Sequence, residues 1–324
     1  MAYNNQLSRT DIQPLLPEDV LDSFLVSLVD TSVALTSFRR VPVAQAQTRF
    51  PILSALPVAY WVAGDTGLKQ TTEMAWGNKY LNVEELAAIA PIPESVLDDL
   101  QDAGIDGGFD VWTEIQPTIV AEMARVIDQA VFFGINAPAS FPPNVLAACG
   151  AVLPAPGNVH TEGAAQDAGG IQDDLDQTIG LLETEGFDFD RIIANRTLRG
   201  KLRRARNTLG DRLDGLNPDL TEYLGQPISY PMRGLWPSGT GAVEAFVGEF
   251  SDQFVIGLRR DITVKFLDQA VIQDNTGAIV YNLPQQDMVA MRFTMRVGWQ
   301  VANQIRFDQP DPTKRYPVAA LVTA

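Results

Sequence analysis

From Met288 to Val301 every odd-numbered position is apolar (Val289, Met291, Phe293, Met295, Val297, Trp299, Val301), while Arg292, Thr294, Arg296 and Gln300 take even places between them. Alternation at period two marks a strand with one buried face. At the usual rise the run reaches ~43 Å, whereas most strands in globular domains stop after about 5 or 6 residues. An extended, sheet-forming wall is expected. Just upstream, Gly248 to Ser251, followed by Gln253 to Arg260 and Ile262 to Phe266, reads as two more strands around a turn. Together these predict one continuous β module near the C-terminus.

The chain has 324 residues, 46% hydrophobic and 20% charged, enough for two domains or one elaborated domain, and ordinary for a folded protein. A single cysteine, Cys149, excludes an intramolecular disulfide, and with the single histidine, His160, it leaves no Cys/His cluster for zinc. The two lie in a Pro/Gly/Ala-rich stretch from Pro138 to Gly170, which reads as loop rather than as a nucleophile and its base. The most apolar early stretch, Val20 to Val33, is interrupted by Asp22 and Asp30, so neither a signal peptide nor a membrane span is expected. These features predict a soluble protein made in a reducing cytoplasm, with no membrane partner and no cofactor. The net charge of -16 argues against tight nucleic-acid binding, because that affinity comes mostly from neutralising phosphates. An inner wall facing DNA is compatible with it. Residues 1 to 189 hold 7 basic and 26 acidic side chains, residues 190 to 260 hold 11 and 8, and the rest are balanced. Such asymmetry suggests faces that meet each other.

Residues 1 to 47 look like an arm, with a helix from about Glu18 to Thr36 whose stripe includes Leu21, Phe24, Leu25 and Leu28. The stripe packs either on its own domain or across a neighbouring subunit. Thr48 to Val62, a polar tip around Gly64 to Gly67, and a second extended run from Lys79 to Ile92 describe a protruding hairpin that carries Lys69 and Trp76. A hairpin with so little core favours an assembly over a lone monomer. A short helix follows from Pro93 through Leu100. A long one follows with Thr113 and Gln116 as capping box, Pro117 at the end of its first turn, and a stripe of Ile115, Ile119, Met123, Val126, Ile127, Ala130 and Val131 running to Gly134. Asp102 to Asp110 lacks the bidentate glutamate of a calcium loop and reads as a solvated turn.

After a loop from Asn136 to Gly170, a helix from about Ile171 to Glu185 and a strand from Phe187 to Ala194 imply a small α/β domain. Asn195 caps a helix with Leu198, Leu202, Ala205 and Leu209 inward and Arg196, Arg199, Lys201, Arg203, Arg204 and Arg206 outward. This basic face is a solvated surface, a contact with an acidic neighbour, or, lacking interleaved aromatic residues, less simply a nucleic-acid site. Asn195-Arg-Thr matches a glycosylation sequon, for which capping is the simpler role. No phosphate loop, nucleophile elbow or acid/base pair stands out, so an enzyme reading has no residues to rest on.

In this order the features resemble the major capsid protein family of tailed bacteriophages, with the Hong Kong 97-type fold. Arm, hairpin, the helix at Pro93 to Asp99 and the helix ending Asp128-Gln-Ala-Val-Phe-Phe-Gly134 resemble that family's arm, extension loop and spine helix. Ile192 to Gly210, Leu224-Gly-Gln-Pro-Ile228, Gly248 to Ser251 and Ile256 to Arg259 resemble its axial-domain helix, its Gly-x-Pro turn and its peripheral strands. Asp287 to Val301 resembles the closing peripheral strand, with Arg292 and Arg296 in the family's arginine positions. The resemblance implies an α+β fold divided into an arm (1–47), an extension-loop hairpin (48–92), a peripheral domain with the spine helix (93–135), an axial α/β domain (136–240) and peripheral strands with a C-terminal segment (241–324).

It also implies a non-enzymatic shell subunit in the virion, assembled in the host cytoplasm from hexamers and pentamers around packaged double-stranded DNA without sequence-specific contact. A separate scaffolding protein, a portal and a decoration protein are the further partners it suggests, since only about 47 residues precede the hairpin where some relatives carry a cleavable scaffolding segment on the scale of a small domain. The expected inter-subunit residues are Arg199, Arg203, Arg206, Lys69, Trp76, Phe24 and Leu28. The long strand contributes Met291, Phe293, Met295, Val297 and Trp299. Where relatives join subunits through a lysine-asparagine bond, Lys69 and Asn303 are the candidates here. An encapsulin-like compartment shell shares the fold and is the first alternative, against which the long arm speaks. A cytoplasmic α+β enzyme with a well-formed pocket is the second.

Overall fold

The computed structural model describes residues 32–62, 69, 71–94, 111–163, 170–205, 220–231, 234–237, 239, 241–274 and 276–324, without the side chains of 111–116 and 260–262. In chain order, the first half comprises α1 Val33–Ser37, β1 Arg39–Pro42, β2 Gln47–Ala55, β3 Ala75–Asn82, β4 Glu84–Pro93, α2 Val111–Phe133, α3 Val145–Gly150, β5 Val159–Thr161 and α4 Ile171–Thr184. The second half comprises β6 Arg191–Ala194, α5 Arg196–Arg204, β7 Glu222–Tyr223, β8 Gln226–Ser229, β9 Val243–Gly248, α6 Phe250–Gln253, β10 Phe254–Leu267, β11 Val271–Gln273, β12 Ile279–Asn282, β13 Met288–Val301 and β14 Val318–Val322. Contacts divide the chain into two units, one holding Glu84–Ala124 and Arg259–Val297, the other Ser32–Val83, Arg125–Leu258 and Gly298–Ala324.

In the first unit β4 runs antiparallel to β13, from Glu84 opposite Val297 to Pro93 opposite Met288. The alternation of β13 becomes burial: Met291, Phe293, Met295 and Val297 are buried, and Arg292, Thr294 and Arg296 are half-buried. Arg296 reaches across the ladder to Glu85 at 3.2 Å, and the Thr294 and Thr263 hydroxyls are hydrogen-bonded. The β11–β12 ribbon closes on a small core of Tyr281, Leu283, Met288 and Ala290.

The second unit is built on a six-stranded sheet in the order β5, β14, β9, β6, β8, β7. All five residues of β14 and all six of β9 are buried, which explains the uninterrupted apolar run of β14; in β9 the one charged residue, Glu244, is paired with Lys201. Leu175, Ile179 and Leu182 of α4 and Leu198 and Leu202 of α5 pack with Ile192, Val247 and Leu321 of the sheet into one cluster. A second, aromatic cluster links Phe38, Phe132, Phe246, Phe250 and Phe254, with ring centroids 4.7 to 6.0 Å apart along the chain of contacts. Helix α2 ends in an αL cap. Gly134, at φ 70°, donates to Ala130 O, and Ile135 N donates to Gln129 O at 3.2 Å.

Several sequence expectations change. Ser32 is extended (φ -82°, ψ 127°) and caps α1, so no single helix runs from Glu18 through Thr36, and Glu18 to Thr31 lie outside the described residues. The second hairpin arm does not run to Ile92: β3 ends at Asn82 and β4 leaves to pair with β13. Helix α2 starts at Val111, so Thr113 is inside it and Pro117 falls in its second turn. The stretch from Asn136 to Gly170 is not all loop, since it holds α3 and β5. Strand β6 begins at Arg191, not at Phe187. Gln253 to Phe266 is not two strands around a turn: Phe250–Gln253 is a helical turn and Phe254–Leu267 one strand. The short helix expected at Pro93 to Leu100 and the Asp102 to Asp110 turn fall largely or wholly outside the described residues.

Candidate assembly site

Strands β2 and β3 form the expected hairpin, antiparallel from Gln47 opposite Asn82 to Leu53 opposite Trp76. Its base is anchored within the second unit. Lys79 Nζ donates to Val301 O at 2.8 Å, Gln300 Nε2 to Tyr80 O at 2.7 Å, and Asn82 Nδ2 to Ser140 O at 3.0 Å. Two glycines admit this approach: a Cβ on Gly298 would overlap the Asn82 carbonyl, and one on Gly257 would lie 2.8 Å from Leu81. Leu81 itself is fully buried. Farther out the hairpin has apolar residues without cover. Val58 is 71% exposed, Trp61 fully exposed and Trp76 65% exposed, with Tyr60, Val62, Met74 and Tyr80 exposed as well. Scattered apolar residues are normal on a surface, whereas larger exposed groups are characteristic of interaction surfaces in general.

Beneath the hairpin base lies a groove of about 410 Å³ lined by Phe50, Ile52, Leu53, Trp76, Val255 and Ile305, with Arg39, Lys79, Asp252, Gln300 and Gln304 supplying polarity. Burial, and secondarily the field of Arg315, lowers the Lys79 pKa to about 8.

The second charged surface is α5. Asn195 caps it by accepting from Thr197 N at 3.3 Å, and Leu198 and Leu202 turn inward. Arg199 is exposed with its guanidinium 5.7 Å from the Tyr230 ring centre; Arg203 is exposed and donates to Arg199 O. Lys201 departs from the expected outward stripe. It is bound by Glu162 at 2.5 Å and Glu244 at 3.0 Å, and although burial lowers its pKa, those two carboxylates raise it above the usual lysine value.

Of the remaining residues expected at interfaces, Lys69 is exposed, and Phe24, Leu28 and Arg206 lie outside the described residues. Asn303, in the left-handed region at φ 46°, donates through Nδ2 to Arg315 O at 3.2 Å. Trp299 is buried in β13. Cys149 and His160, expected in loop, are each positioned: the buried thiol donates to Val318 O, and His160 Nε2 is 2.9 Å from the Asp174 carboxylate. The Cys149 pKa is pushed well up, first by burial and then by Glu185, away from the reactive thiolate range. Sequence reasoning missed Arg39 and Lys79 in the groove. It also missed Asp128, which accepts from Ser32 Oγ at 2.7 Å and from Val33 N and Ala34 N at 3.0 Å each. From the sequence alone Ser32 falls inside a helix, and nothing local connects it to a residue 96 positions away.

Known proteins are similar to this chain along nearly its whole length. The model of the Phage capsid family matches residues 13–307. A solved structure from Microbacterium phage Oxtober96 is similar at 30% identity and TM-score 0.75, covering 100% of this chain and 96% of that one. One from Mycobacterium phage Bobi has 28% identity and TM-score 0.74, with 91% of each chain covered. A structure described as the capsid of a native GTA particle computed with C5 symmetry, 18% identical with TM-score 0.62 over 99% of this chain and 95% of that one, shares the fold. No curated protein matches. An α+β fold, a hairpin with exposed apolar residues in the first third of the chain, and a match to one family along nearly the whole chain lead to one conclusion: this chain belongs to the phage capsid family and is a capsid shell protein.

Proposed function

We propose that the chain is the major subunit of an icosahedral phage head, assembling through copies of itself into hexamers and pentamers around double-stranded DNA, and that it performs no catalysis. The observation that carries this reading is the uncovered apolar surface of the hairpin, headed by the fully exposed Trp61. Burying one such side chain is worth ~1.5–3 kcal/mol, so repeated contacts favour closed assemblies over the free subunit. In this reading the hairpin is the extension loop and α5 belongs to the axial domain. Arg199, Arg203 and Arg206 meet acidic groups of a neighbouring copy, in keeping with a net charge of -16 concentrated before residue 190. Phe24 and Leu28 are buried between copies.

Expression of the chain followed by sedimentation and negative-stain electron microscopy tests the proposal. Shells, tubes or free hexamers and pentamers agree with it, and nuclease-protected DNA in particles made during infection agrees with the genome-enclosing role. A monomer at every salt and protein concentration overturns it. Replacing Arg199, Arg203 and Arg206 by glutamate should abolish capsomers, whereas unchanged particle yield refutes the role of that face. Subunit ladders on denaturing gels of particles, lost on replacing Lys69 or Asn303, are expected of a covalent bond between those two residues; monomer alone excludes it.

A further inference from the structure

Lys79 holds an uncommon place for a lysine. Its Nζ donates to Val301 O at 2.8 Å at the hairpin base, and it lines the groove there together with Arg39 and Gln304. Asp252 is the one carboxylate among the described lining residues. A third cation, Arg315, also acts on the amine. Arg315 is buried, its guanidinium donates to the carbonyls of Gln304, Gln309 and Pro310, and it makes no direct ion pair among the described residues.

Charge decides what chemistry this place favours. Burial, and then the Arg315 field, disfavour an ammonium and lower the amine from 10.5 to about 8, so near neutral pH it holds about two orders of magnitude more neutral form than an ordinary lysine. A neutral amine is a nucleophile, and cations that repel an ammonium attract an anion formed in its place. Addition to carbon dioxide converts an amine into such an anion. The nitrogen lone pair forms an N–C bond, one C=O π pair moves onto oxygen, and one amine proton passes to water. The products are a carbamate and a proton, with no oxidant, reductant or leaving group. One N–H remains on the nitrogen to donate to Val301 O.

We propose that Lys79 is a carbamylation site, at which dissolved carbon dioxide adds reversibly to Nζ and the resulting carbamate pairs with Arg39 in the hairpin-base groove. The modification replaces a disfavoured cation by a paired anion and ties β3 to β1. It does not depend on the shell reading.

Trapping in the purified full chain tests it. The protein is equilibrated with isotopically labelled carbon dioxide at fixed dissolved concentration, carbamates are fixed as ethyl esters with triethyloxonium, and lysine peptides are compared by mass spectrometry. Near neutral pH, Lys79 should carry at least about tenfold more label than exposed Lys314 beside Asp311, or than Lys201, which two carboxylates keep protonated. Its labelling should rise through about pH 8. Arg39→Gln should lower the label at Lys79 about tenfold and leave Lys314 unchanged. Label at Lys79 no greater than at Lys314 overturns the proposal, as does equal label in wild type and Arg39→Gln. Acetic anhydride, which acylates any accessible neutral amine, is the control. Acylation of Lys79 without trapped carbamate refutes the site, and failure of both reagents refutes it too, because the proposal requires an accessible neutral amine.

Discussion

The six-stranded sheet and the β2–β3 hairpin belong to the same unit, yet they end in opposite states. In β14 all five residues are buried, and α4 and α5 complete the cover. In β3 exposed and half-buried positions alternate, and only Leu81 at the base is buried. The sheet is finished by its own chain. The hairpin leaves apolar residues exposed, because two strands cannot bury both of their faces. In the proposed shell this division is functional: one region holds the subunit together, and the other is the proposed contact between subunits.

The comparison is sharpest if damage to one region spares the other. Phe246→Ala, in β9 and in the aromatic cluster, should cost ~3–5 kcal/mol in urea unfolding of the free subunit, through lost contacts and the cavity left behind. A cost under about 1 kcal/mol would mean that the cluster is not the stabilising core.

Asp128 offers a pH test of the joint between α1 and α2. Burial, opposed by the hydrogen bonds from Ser32, Ala34 and Val33, raises its pKa to about 6 from an ordinary 3.8. A carboxyl that holds its proton more tightly when folded adds stability at low pH, and this contribution disappears as pH rises from 3.8 through about 6. The span is worth up to ~3 kcal/mol at 1.36 kcal/mol per pH unit. The stability of wild type minus that of Asp128→Asn should therefore fall between pH 4 and pH 7, and a flat difference refutes the buried titration.

At the hairpin base, where β13 approaches, Gly298→Ala should cost ~1–3 kcal/mol, because the new methyl displaces the Asn82 backbone. Hydrogen exchange should show the loss concentrated in β2 and β3; uniform loss would place the strain elsewhere. The smallest effect on folding is expected at Trp61. Trp61→Ala should leave subunit stability within about 0.5 kcal/mol and yet cut particle yield, as measured by sedimentation. A destabilised subunit with normal particles would reverse the distinction between the regions.

Strands and helices whose patterns are long and regular were readable from the residues. Met288 to Val301 is one strand, Ile171 begins α4, and Asn195 caps α5. In each case the burial period or the cap is a local property. Errors came where geometry depends on distant partners. The run from Lys79 to Ile92 looks like one extended arm, but it divides at Val83 because β4 finds its partner in β13. The stretch around Cys149 and His160 looks like loop, but β5 forms because β14 offers it a parallel edge. Lys201 looks like part of a solvated stripe, but Glu162 and Glu244 converge on it from other elements.

By itself the sequence determined which segments alternate, which helices have an inward stripe, that one basic helix sits in an acidic chain, and that too much apolar surface is placed on a hairpin too thin to bury it. Tertiary structure alone decided where that hairpin is rooted, that Gly257 and Gly298 make room for its base, that Asp128 holds the start of α1, and that Arg39 and Lys79 share a groove with Phe50 and Leu53. The reason is physical: periodicity is set by neighbours a few residues apart, whereas a groove, a buried carboxylate or a close backbone approach exists only when segments distant along the chain come to lie against one another.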